Sequence, residues 1–148
     1  MCHQPLSKVT FGPRLHIIRY MQWLWVIGFG FLGVSSRFAI DSWTARLSFS
    51  FPIGTLAINV VGCFIAGLLF SPGLRSDLSA DHVQIGIIVG FCGGFTTFSG
   101  FGLQFMQLLN DGRIIPAIAY GIGSPVLGVL ATAGGLLLSR VLHEIRNS

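Results

Sequence analysis

The chain has 148 residues, of which 52% are hydrophobic, 9% charged and 20 glycine, with a formal net charge of +4. An ordinary soluble domain is about 25% charged and about 7% glycine, so this composition excludes a soluble globular enzyme and a disordered chain, and the length excludes several packed domains. The glycines follow no G-X-Y period and the nine Lys and Arg residues are scattered, which excludes collagen and a basic nucleic-acid face.

What remains is an all-α integral membrane protein. A spanning helix needs about 20 mainly apolar residues, and four segments qualify. The first runs from about Gln22 to Ile40 and carries Arg37 near its end. Lys8, Arg14 and Arg19 precede it as in a signal peptide, but no A-x-A cleavage pattern follows, and the later segments demand a membrane in either case. The second runs from about Pro52 to Phe70, opened by a proline suited to a first helical turn. The third covers about Val83 to Leu109, preceded by Ser79-Ala80-Asp81 as N-cap chemistry. The fourth covers about Ile114 to Ser139. Polar links join them at Asp41–Ser50, Ser71–His82 and Asn110–Arg113. Met21 directly precedes the first apolar run, so residues 1–20 read as an N-terminal tail that a later start leaves out, and 21–148 as one four-span domain.

The third segment is broken in its middle. Gly90-Phe91-Cys92-Gly93-Gly94-Phe95-Thr96-Thr97-Phe98-Ser99-Gly100-Phe101-Gly102 holds five glycines in thirteen residues, each costing a helix about 1 kcal/mol relative to alanine. One reading is close helix contact through small residues, as in Gly86-x-x-x-Gly90. The other, which the interleaved hydroxyls and phenyls favour, is a helix break at mid-membrane whose carbonyls and hydroxyls hold an ion. Gly28-x-Gly30-x-x-Gly33 matches a dinucleotide fingerprint only literally. It lies inside an apolar span with no strand before it and no acid about 20 residues on, so its glycines serve helix contact.

No acid or lysine lies within the spans, and the one embedded charge is Arg37. It either snorkels to the headgroups or lines a water-filled vestibule and concentrates anions. Asn59, central in the second span, is either interhelical glue or an amide donor on an ion path. Tyr120 and Ser124 share a face of the fourth span, and Phe98 and Phe101 share one of the third. Phenyl groups in a span commonly meet lipid or core, yet their positive edges also suit a small anion. Cys2, Cys63 and Cys92, with His3, His16, His82 and His143, lack disulfide or zinc spacing.

By the positive-inside rule the termini side carries six Lys or Arg against three, but counting from Met21 leaves three against three. A balanced count permits insertion both ways and therefore an antiparallel two-fold dimer.

Gly33-x-x-x-Arg37, Gly54-Thr55-Leu56-x-x-Asn59-x-x-Gly62, Gly93-Gly94-Phe95-Thr96-Thr97-Phe98-Ser99-x-Phe101 and Tyr120-x-x-x-Ser124 together resemble the Fluc (CrcB) fluoride channel family, over Met21 to about Arg140. The resemblance implies a dual-topology antiparallel homodimer in a bacterial plasma or inner membrane, with fluoride pores along the subunit contacts. It implies a structural Na+ at the dimer interface, held by backbone carbonyls of Gly93 and Thr96. Phe98 and Phe101 become pore-lining phenyls, Asn59, Ser99, Tyr120 and Ser124 the polar fluoride pathway, and Arg37 a vestibule residue. The chain departs from the family at Gly100, where a threonine is usual, and in its first 20 residues, which have no counterpart. A proton-coupled four-span exporter needs an embedded ionisable group, and an intramembrane enzyme an embedded acid, base or metal set; neither set is present in the spans. A non-transporting complex subunit accounts for the glycines but not for the hydroxyls and phenyls gathered at the break.

Overall fold

A computed structural model describes residues 13–47, 50–70 and 78–148. The first twelve residues of the expected tail, and most of the Ser71–His82 link, lie outside the described residues. So do Cys2, His3, Lys8 and Arg75.

Apart from short connections, the described chain is helical: α1 (Pro13–Arg46), α2 (Ile53–Leu69), α3 (Leu78–Ile85), a π-helical continuation Gly86–Cys92, α4 (Gly93–Phe95), α5 (Phe98–Asn110) and α6 (Ile114–Asn147). Three helical runs are long and apolar enough to cross a membrane, and α2 is a shorter apolar helix. At 1.5 Å per residue its 17 residues cover about 26 Å, at the low end of what a bilayer requires. The protein is therefore a multi-pass membrane protein.

Apolar segments mark membrane edges rather than helix ends. The expected link at Asp41–Ser50 is helical as far as Arg46, because Asp41 to Arg46 contains no glycine or proline. Thr44 secures this end by donating its hydroxyl to the Ile40 carbonyl at 2.9 Å. Exposed Trp23 and Trp43 on α1 stand 20 residues apart, about 30 Å, one hydrocarbon thickness. Likewise α6 continues past the expected end at Ser139 to Asn147. Ser79-Ala80-Asp81 is itself helical, within α3, rather than a cap before the helix.

Glycines govern how the helices approach. α1 runs along the π segment and α4, while α2 runs along α6. A Cβ at Gly33 would fall on the Phe91 carbonyl oxygen, and one at Gly94 would lie 2.9 Å from the Gly30 carbonyl. Gly67 and Gly135 do the same between α2 and α6, each facing backbone of the other helix. α5 turns into α6 through a left-handed Gly112 (φ 70°). The Arg113 N–H donates to the Leu108 carbonyl at 2.9 Å, and that of Gly112 to Leu109 at 3.0 Å, the paired bonds of a glycine-terminated helix.

Candidate functional site

The five glycines of the third segment do not unwind it. Gly90 and Gly94 stay helical and receive α1, as the small-residue reading has it, whereas the extended residues are Thr96 (ψ 156°) and Thr97 (φ −147°, ψ 117°). Two side chains hold this break. The Thr97 N–H donates to Asn59 Oδ1 at 2.8 Å, and Asn59 Nδ2 donates back to the Thr97 carbonyl at 3.2 Å. Thr97 Oγ1 then caps α5 by accepting the Gly100 N–H at 2.9 Å. On the other side, the Thr96 N–H and hydroxyl both donate to the Cys92 carbonyl.

These bonds account for two of the carbonyls that the break releases. In a continuous helix the Thr97 N–H would serve Gly93 and the Gly100 N–H would serve Thr96. Both donors are spent elsewhere. The carbonyls of Gly93 and Thr96 thus lose their helical partners, and a Cβ at Gly93 would meet nothing within 4 Å. Carbonyl oxygens suit a hard cation such as Na+, so this donor set fits one, though two oxygens alone do not enclose it.

Beside the break lies an open groove of about 390 Å³ whose lining includes Asn59, Thr96, Thr97, Phe98, Phe101 and Ser124. Phe98 is 83% exposed and stacks on Phe101 with ring centres 5.6 Å apart. Ser99 is exposed with its hydroxyl 3.2 Å from that of Thr97. Pro125, also in the lining, removes the helical bond to the Gly121 carbonyl within α6.

One turn from the buried Ser124, Tyr120 is 1% exposed and packs against Phe101 and Phe51. Its hydroxyl donates to Gln104 Oε1 at 3.0 Å. Gln104 and Thr55 in turn line a second cavity of about 500 Å³, which also includes Asp41, Gln107, Asp111 and Arg113. Tyr120 therefore bridges the mid-membrane groove and a polar cavity near the ends of α1 and α5.

The structure brings Asn59, Phe98, Phe101 and Ser124 together at the groove, with Ser99 at its rim and Tyr120 behind it. Arg37 stands apart, half-buried on α1 one turn before Asp41; the cation lining the 500 Å³ cavity is Arg113. Sequence reasoning passed over Thr97, Gln104 and Thr55. Thr97 carried a readable signal, a threonine directly before a helical run. Thr55 stood in the resemblance without a role, and Gln104 carried no signal, since its role depends on the distant Tyr120.

A family model described as "CrcB-like protein, Camphor Resistance (CrcB)" matches residues 24–136. A fluoride-specific ion channel FluC of Chlorobium phaeobacteroides is 37% identical over 123 residues, covering 83% of this chain and 96% of the relative. One of Syntrophotalea carbinolica is 39% identical over 123 residues, 82% of this chain and all of the relative. Another, of Pseudomonas putida, is 43% identical over 112 residues, 75% of this chain and 90% of the relative. With the family model spanning all four apolar segments, the chain belongs to the CrcB family.

Proposed function

We propose that this chain is a fluoride-selective channel that passively exports cytoplasmic fluoride, working as an antiparallel dual-topology homodimer in a bacterial plasma or inner membrane. The relatives' names point to the ion. The observation that carries the mechanism is the open groove at the break, whose lining includes the polar side chains of Asn59, Thr96, Thr97 and Ser124 at mid-membrane.

Polar groups left against lipid cost several kcal/mol each, so a protein surface covers this groove. A second copy related by a two-fold axis does so, and it also supplies the missing oxygens. Gly93 and Thr96 of both copies then bring four carbonyls to one point, a suitable seat for a structural Na+. That ion, when bound, supplies a positive charge that ties the two copies together and attracts an anion.

Fluoride entering this site must exchange water for protein donors. One Asn59 amide proton is used by Thr97, which leaves the other for the ion. Ser99 and Ser124 add hydroxyls, Tyr120 joins the pathway from behind the groove once its hydroxyl turns from Gln104, and Phe98 and Phe101 offer ring edges that carry partial positive charge. None of these groups is a fixed cation, so the ion is solvated without being trapped. Among the described residues the groove lining holds no acid, histidine, lysine or arginine, which fits electrodiffusion rather than proton coupling.

The test uses the full chain in liposomes loaded with potassium fluoride or potassium chloride, with valinomycin supplying counter-current. Fluoride efflux with retained chloride is expected. No fluoride efflux, or chloride efflux at an equal rate, would overturn the reading.

A further inference from the structure

Where α2 stops at Leu69, α6 runs on, and the two leave a notch of about 290 Å³ lined by Leu68, Leu69, Ser139, Leu142, His143 and Arg146. The four α6 residues follow i, i+3, i+4, i+7 spacing and so form one face. That face grades from Ser139 and Leu142 to the cationic end at Arg146.

Depth identifies what meets it. Leu69 lies ten residues beyond Asn59 on α2, about 15 Å along the helix from the break, which is half a hydrocarbon thickness. The leucine floor therefore sits at the top of the acyl chains and the arginine end among the headgroups. A helical side chain also leans towards its helix's N-terminus, which aims Arg146 back at the membrane. Its guanidinium donates to His143 Nδ1 at 3.2 Å, steadying it over the notch. Glu144, two positions away, belongs to the opposite face, one turn from Arg140.

We propose that this notch binds one anionic phospholipid of the phosphatidylglycerol class. The upper acyl chain and glycerol lie on Leu68, Leu69 and Leu142, and the phosphate takes the N–H donors of Arg146 that, among the described residues, His143 does not use. A guanidinium presents paired donors that match phosphate oxygens. A lipid without a headgroup cation leaves its charge to complement the arginine, whereas phosphatidylcholine brings its own. This site is separate from the groove and independent of the fluoride reading.

Native mass spectrometry of the full chain in mild detergent, titrated with phosphatidylglycerol or phosphatidylcholine, provides the test. Phosphatidylglycerol should bind at least about tenfold more tightly, a difference of the size one charge-assisted hydrogen bond supports. Arg146→Gln should abolish that preference; the side chain is exposed, so the variant keeps its fold. Arg140→Gln, on the other side of α6, should leave it unchanged. Equal retention of the two lipids, or an undiminished preference in Arg146→Gln, overturns the proposal. Displacement by millimolar inorganic phosphate would make this a free-anion site, and a lowered dimer fraction in Arg146→Gln would make it a subunit contact; either result also overturns it.

Discussion

Asn59 shows how one side chain sets backbone geometry 38 residues away. Ordinary interhelical hydrogen bonds in membranes are worth about 0.6 kcal/mol, because partners are found elsewhere when they break. Asn59 differs in serving a peptide N–H and C=O together at the extended Thr97. An unsatisfied buried donor or acceptor costs about 1–3 kcal/mol, so Asn59→Leu should lose about 2–4 kcal/mol of stability in detergent. It should also drop fluoride flux at least tenfold, as the Thr97 N–H becomes free to rejoin the helix. A variant with wild-type unfolding and flux would remove Asn59 from the break. Phe98 makes the contrasting case. Being 83% exposed, it contributes little to the single chain. Phe98→Ile should therefore change stability by no more than about 0.5 kcal/mol while abolishing fluoride efflux. Unchanged flux would strike the ring from the pathway.

At the scale of elements, the glycines divide by what they face. Gly33 abuts the Phe91 carbonyl and lies against the Phe95 nitrogen, backbone that has nowhere to move, whereas a Cβ at Gly28 meets nothing. Gly33→Ala should thus force α1 away from the π segment at a cost of about 1–3 kcal/mol. Gly28→Ala should be neutral or gain up to about 1 kcal/mol from helix propensity. Thermal unfolding of the two purified variants checks the pair, and equal midpoints would refute the packing argument. Both glycines belong to one G-x-G-x-x-G string, and composition does not separate them. Four apolar segments and a break in the third were legible because hydropathy and unusual glycine density are local properties. The position of the break was not. It falls on two threonines, and the residue that holds it open sits on another helix. Helix ends were hidden for a related reason: Asp41 to Arg46 is polar enough to leave the hydrocarbon yet contains nothing to stop a helix.

For the whole molecule, the released carbonyls of Gly93 and Thr96 are what the proposed dimer would use to connect one chain's hydrogen bonding to assembly. Each protomer diverts two N–H donors and so leaves two oxygens at the break without their helical partners. In the proposed dimer those oxygens converge from both copies, and a shared Na+ binds the assembled state but not the separate chains. Mass action then requires that sodium stabilise the dimer, by about 2.7 kcal/mol at a hundred times its dissociation constant. Exchanging sodium for N-methyl-D-glucamine, too large for a carbonyl cage, should lower the thermal midpoint of dimer dissociation and raise the monomer fraction at fixed protein concentration. Ionic strength is held constant by that exchange, so general screening does not contribute. Asn59→Leu offers the internal comparison. With the Thr97 N–H returned to Gly93, one oxygen per chain is withdrawn, and the sodium dependence should shrink along with the dimer. A dimer equally stable in both salts would separate the break from any cation and leave its carbonyls to the permeation path alone.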